Sequence, residues 1–141
     1  MLAILRLRSR LFLASKFITK GMCLQMSILI DKLKDMGCDI DAAMGRFLNN
    51  EDFYARCFKK YIDDPSFDGL AAALESKDPV EVFEQSHTLK GVSANMGVTP
   101  VYDEVVIIVE AVRGGKYADN LMPHYEKIVE LRKELKKLAE A

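Results

Sequence analysis

The sequence predicts an all-α protein: an antiparallel up-and-down four-helix bundle with short additional helices on its N-terminal side. Three observations carry that expectation. Apolar residues recur at three- and four-residue spacing from Ser27 onward, helix-start and helix-stop residues punctuate the runs, and no alternating segment offers a hairpin partner. Short Gly-bearing connections between long helices make neighbours antiparallel.

The first short helical segment holds Ile28, Leu33 and Met36, and a second, with Met44, Phe47 and Leu48, follows a cap at Asp39 or Asp41. Asn49 and Asn50 interrupt it. Phe53, Cys57 and Tyr61, then Leu70 and Leu74, supply the next i, i+4 contacts, and Asp64 with Pro65 between them reads as two helices or one kinked helix. Asp78, Pro79 and Glu81 combine an N-cap, a proline at the first helical position and a capping-box acid. A helix is therefore expected from Pro79 to about Met96, stopped by Gly97. Thr99 before Pro100 repeats the start signal, and Gly114 with Gly115 stops a helix bearing Val101, Val105, Ile108 and Val112. Its β-branched run, Val105 to Val109, could mimic a strand, but the helical spacing continues beyond it. The last helix carries Leu121, Tyr125, Ile128, Leu131, Leu135 and Leu138 on one stripe, opposed by Lys, Arg and Glu.

At 141 residues and 50% hydrophobic composition, the chain accommodates one compact domain and no second full-sized one. Five cations, Arg6, Arg8, Arg10, Lys16 and Lys20, precede the first acid, Asp31; taking them from the net charge of −1 leaves the remainder at −6. That acidic body argues against nucleic acid as partner, because phosphate neutralisation needs clustered Lys and Arg. The three cysteines, Cys23, Cys38 and Cys57, have no paired spacing, so neither a disulfide framework nor a zinc site is indicated and a reducing cytoplasm fits best. No apolar run approaches the ~20 residues of a membrane span. Residues 1–25, basic and apolar, read as an extension, with the working domain over residues 26–141. A basic amphipathic helix on a membrane and a transit peptide are the functional readings of that extension; an extension without a role is preferred.

On a wheel of 100° per residue, Val82, Leu89 and Met96 fall within about 20° of one line, flanked by Ser86, Val92 and Ser93. That is the core face. His87 lies about 160° from Leu89, on the side a bundle helix turns to solvent. One turn after it comes Gly91, then Ala94 or Asn95, so the outward face loses bulk beside the imidazole. A mid-helix glycine costs about 1 kcal/mol relative to Ala, and close approach by a partner would explain its presence. Lys90, at i+3, can set an ammonium beside an anion on the imidazole. Phe83 and Val80 lie on the same outward face and, with Ala94 and Asn95, form a candidate docking patch.

The stretch SHTLKGVSANMG, Ser86 to Gly97, closely resembles the motif of histidine-containing phosphotransfer domains. The resemblance extends over about residues 27 to 140 and includes a downstream helix ending in Glu110, Ala111 and Arg113. It implies a four-helix bundle whose exposed histidine exchanges a phosphoryl group with the aspartate of a response-regulator receiver domain or with a sensor histidine kinase. His87 takes the acceptor position, and Lys90 and Gly91 take the assisting ones. Family members often place a glutamine on the next helix near the histidine, whereas the matching region here reads Val109 and Glu110.

Imidazole titrates ordinarily near ~6.5, leaving a ring-nitrogen lone pair for in-line attack on phosphorus, here expected from Nε2. No acidic cluster stands beside His87 in the sequence, so no cofactor or metal is expected on this chain and Mg²⁺ is expected from the partner receiver domain. No Walker or kinase Gly-rich loop is present. A relay rather than a kinase follows. His124, beside Pro123 and without a following Lys-Gly pattern, reads as a surface histidine, and the methionines as core filler. Two other readings are a non-phosphorylated helical adaptor using the same patch and a basic-tailed peripheral membrane protein. Neither accounts for His87, Lys90 and Gly91 together.

Overall fold

The computed structural model describes residues 24–140; the expected extension over residues 1–25 lies almost wholly outside them. Every regular element among the described residues is an α-helix: α1 (24–35), α2 (Ile40–Arg46), α3 (Glu51–Ile62), α4 (Pro65–Ser76), α5 (Pro79–Met96), α6 (Thr99–Val112) and α7 (Met122–Glu140).

The helix boundaries follow side-chain chemistry. Asp39, not Asp41, caps α2 by accepting from the Ala42 N–H, and Asn50 caps α3 through the Phe53 N–H at 3.1 Å. Between them Leu48 and Asn49 adopt positive φ, which takes Leu48 out of the helix and leaves it exposed rather than in the core. Asp64 caps α4 with Pro65 in its first turn, and Asp78 with Pro79 does the same for α5. The Asp78 carboxylate takes the Val80 N–H at 3.0 Å, one residue short of the amide a capping box uses, so Glu81 contributes as an acid in the first turn. Thr99 does not cap α6. The cap position is Val98, and the Thr99 hydroxyl instead donates to the Gly97 carbonyl at 3.4 Å. Val105 to Val109 are helical, as their spacing predicts.

The break at Asp64 and Pro65 leaves α3 and α4 end to end along α5. Gly69 of α4 lies against Gln85 of α5, so closely that a Cβ would strike the Gln85 amide. Tyr61 and Tyr54 of α3 reach Ser93 and Met96, further along α5. The broken helix α3–α4 therefore runs antiparallel to α5, and α6 and α7 complete an up-and-down bundle. Arg132 of α7 seals the break: its Nε donates to the Ile62 carbonyl at 2.9 Å, its guanidinium lies 4.5 Å from the Phe67 ring centroid, and Nη1 meets Asp68 at 3.1 Å. Carbonyls at a helix end need such a donor.

The core stripe of α3 is shifted from the expected one. Tyr54, Phe58, Tyr61 and Ile62 are buried, whereas Phe53 is exposed and Cys57 half-buried. The tyrosines can be buried because each hydroxyl has a partner, Tyr54 on the Met96 carbonyl at 2.8 Å and Tyr61 on Ser93 Oγ at 2.8 Å. Burial pushes both phenols well above their ordinary range. Cys38 and Cys57 are unpaired thiols, and burial pushes Cys38 up to about 11.

Candidate functional site

Helix α5 is held on three sides, by α3–α4, α6 and the end of α2. Val82, Leu89 and Met96 are buried on its inner face with Ser86 and Ser93, whose hydroxyls bond the Val82 carbonyl and Tyr61. Gly97 ends the helix at φ +73°, where a Cβ would also collide with the Asp39 carbonyl. The tight turn into α6 thus fixes both the rotation and the length of α5. With the inner face fixed, His87 points outward and is exposed.

The imidazole does not hang in water alone. It stacks on the Phe83 ring one turn earlier, with centroids 5.5 Å apart and planes inclined by 14°. Phe83 is half-buried and packs against the core, so it is less a freely exposed docking residue than a platform under His87. The hydroxyls beside the histidine, Ser86 and Thr88, bond back to helix carbonyls. Among the described residues no hydrogen bond engages either imidazole nitrogen. The lone pair is available.

Gly91 is exposed, and a Cβ there would meet nothing within 4 Å. The fold does not require a glycine at this position. Lys90 is half-buried. Across from them, at the C-cap of α6, Arg113 lies 5.7 Å from the Phe83 centroid and holds Glu110 with both sides of its guanidinium, Nη2 to Oε1 at 2.8 Å and Nε to Oε2 at 3.0 Å. The Arg113 hydrogen bond and charge lower the Glu110 carboxyl, and the Lys90 charge lowers it further. Val109, the other residue expected near the site, is buried in the core. The sequence pattern contained Glu110 and Arg113 at i, i+3 spacing, but not that Arg113 shares an aromatic ring with His87. That depends on the crossing of α5 and α6.

The remaining patch residues separate. Val80 is 59% exposed, one turn before Phe83. Ala94 and Asn95 are exposed near the other end of α5, and their carbonyls accept from Arg46 of α2 at 2.8 and 3.1 Å. Arg46 is a helix-end donor that the sequence pattern did not reveal. His124, expected as a surface histidine, is only partly exposed. Its side chain is 25% exposed and its Nδ1 lies 2.7 Å from Glu104, which also meets Lys127 at 3.4 Å.

His87 stands on a convex helix face, and the surface groove lined by Pro100, Glu104, Pro123 and Leu131 between α6 and α7 does not include it. Among the described residues no three His, Cys, Asp or Glu side chains cluster to hold a metal ion, and no helix is long and apolar enough to cross a membrane.

A family model described as "Hpt domain" matches residues 64–141, the span from the α3–α4 break through α7. The fold is similar to the crystal structure of histidine-containing phosphotransfer protein B (HptB) from Pseudomonas aeruginosa PAO1, with a TM-score of 0.64 and 21% sequence identity, over 73% of this chain and 90% of that one. No curated protein matches. The family model spans more than half of the chain and includes the helix of the SHTLKGVSANMG stretch, and the similar structure has the same helical fold; the chain belongs to the Hpt domain family, the histidine phosphotransfer carriers of phosphorelays.

Proposed function

We propose that His87 accepts a phosphoryl group from the aspartate of a response-regulator receiver domain, or from a sensor histidine kinase, and passes it on, in the cytoplasm. One observation carries this reading: an exposed imidazole, neither of whose nitrogens is hydrogen-bonded among the described residues, stands on a platform of Phe83, beside Lys90 and a glycine where a Cβ would meet nothing in the described fold. Residues 26–141 are the working unit, with residues 1–25 an extension to it.

In the step proposed, the Nε2 lone pair forms a P–N bond as the P–O bond to the receiver aspartate breaks. The carboxylate departs with the electron pair, and Nδ1 keeps its proton until solvent takes it. Lys90 offsets charge on the equatorial oxygens, and Gly91 lets the partner's backbone come close. Among the described residues no His, Cys, Asp and Glu side chains cluster into a metal site, and the Mg²⁺ that phosphoryl transfer commonly uses is assigned in this reading to the receiver. ATP chemistry is likewise left to a kinase. Val80, Phe83, Ala94 and Asn95 border the approach surface.

The test is incubation with a phosphorylated receiver domain and Mg²⁺, followed by assay for acid-labile, base-stable label on this chain. Label on the wild-type chain and none on His87→Gln is expected. A wild-type chain that takes no label from any of several receivers and kinases, while still binding them, would instead establish a non-phosphorylated adaptor.

A further inference from the structure

The Glu110–Arg113 pair contributes little to holding the fold together. Both side chains are 53% exposed, at i, i+3 with Glu110 on the last turn of α6 and Arg113 at its C-cap, and a surface pair of that kind contributes little to stability. Its position is the unusual feature. Phe83 has the His87 imidazole at 5.5 Å from its centroid and the Arg113 guanidinium carbon at 5.7 Å. Both groups therefore lie against one aromatic ring, which brings the guanidinium into the neighbourhood of the imidazole. The Glu110 carboxylate meanwhile presents two oxygens to the guanidinium fork at 2.8 and 3.0 Å. Two phosphoryl oxygens would fit the same fork.

We propose, resting on the assignment of His87 as the phosphoryl acceptor, that Glu110 stands in for the phosphoryl group in the unmodified protein: it holds Arg113 beside Phe83 and yields it to the phosphoryl oxygens when His87 is modified. The exchange is electrostatically downhill, because a phosphoryl group brings close to two negative charges against one on the carboxylate. It is also easily reversed, because the exposed pair it breaks is weak. Lys90, whose charge reaches Glu110, belongs to the same set. Arg113 and Glu110 thereby act on the reaction through the stability of phosphohistidine, and they set how far the transfer equilibrium lies toward this chain.

The experiment is the equilibrium ratio of label on the full chain to label on a receiver domain with Mg²⁺, quenched before hydrolysis. A ratio at equilibrium does not depend on docking rate, so altered encounter with the receiver does not move it. Glu110→Gln should raise the ratio about threefold, since it removes the competitor, and Arg113→Gln should lower it about threefold. Arg113→Lys, which keeps the charge but loses the fork, should fall between wild type and Arg113→Gln. The double variant should match Arg113→Gln alone, because a carboxylate that acts by competing for Arg113 has nothing left to compete for. Unfolding midpoints of all four should stay at the wild-type value. An unchanged ratio in Arg113→Gln overturns the exchange while leaving His87 as acceptor. A Glu110→Gln effect that persists undiminished in the double variant also overturns it, in favour of simple repulsion. Absence of label on the wild-type chain would instead remove the acceptor assignment and the exchange with it.

Discussion

His87 and Leu89 stand two residues apart on α5 and meet opposite surroundings. Around Leu89 everything is fixed: the side chain is fully buried, and the serines on its face, Ser86 and Ser93, have their hydroxyls bonded within the bundle. At His87 neither imidazole nitrogen has a hydrogen-bond partner among the described residues, the neighbouring side chain at Gly91 is missing, and the nearby ion pair is solvent-exposed. One helix thus separates stability from chemistry by about half a turn. Variants on the outward face should change phosphoryl transfer without changing stability, and those on the inward face the reverse.

The largest expected effect is on the outward face. His87→Gln should lose all acid-labile label while keeping the wild-type unfolding midpoint. His124→Gln should keep full labelling, because its Nδ1 is engaged by Glu104 at 2.7 Å and its ring is mostly covered. Label mapped to His124 by mass spectrometry would break the comparison at once. On the inward face, Leu89→Ala should destabilise the bundle by about 3 kcal/mol in denaturant titration, through lost burial and the cavity left behind. The folded fraction should still label to completion. A correctly folded Leu89→Ala protein that does not label would mean that the two faces are not separable.

Gly91→Ala tests the comparison where its sides pull apart. In an exposed helix interior the change should stabilise by about 0.5–1 kcal/mol, because the new Cβ meets nothing in the fold. The same Cβ stands where the partner is proposed to approach, so the rate of label acquisition in a rapid-quench time course should fall about tenfold if close approach costs about 1.4 kcal/mol more in the transition state. A variant both more stable and equally fast would remove the reason given for the glycine.

Much of this arrangement was legible in the sequence, for identifiable reasons. Local chemistry marks helix ends: Asp39, Asn50, Asp64 and Asp78 each cap through a side-chain oxygen, and Gly97 ends α5 where a left-handed φ is required. The outward direction of His87 follows from periodicity alone. What was not legible depends on contacts between helices. On α3, Tyr54 and Phe58 are buried in place of Phe53 and Cys57 while Tyr61 is buried as expected, and the tyrosine hydroxyls find partners on α5 that nothing local to α3 reveals. Thr99 has the right side chain for a cap, yet the tight Gly97 turn starts α6 one residue earlier. Phe83 was expected on the outward face. That it underlies the imidazole while Arg113 from another helix approaches the same ring is tertiary information.

The smallest effect concerns the polar link through which the inward face meets α3. Tyr61→Phe removes the partner of the buried Ser93 hydroxyl at 2.8 Å, and an unsatisfied buried hydroxyl would cost about 1–3 kcal/mol if it stayed orphaned. Ser93 need not stay so. Ser86, two turns earlier on the same face, satisfies its hydroxyl entirely from the helix by bonding the Val82 and Phe83 carbonyls, and a rotated Ser93 has the equivalent carbonyls at i−4 and i−3, those of Leu89 and Lys90. The expected loss is therefore near the low end, about 1 kcal/mol, measured as a lowered denaturant midpoint with unchanged slope. Labelling at His87 should be unaffected, because the hydroxyl that moves is on the inward face and the imbalance is absorbed within α5. A slower transfer in Tyr61→Phe would mean that rotation of α5 against α3 sets the pose of the imidazole, and that the inward face reaches the chemistry after all.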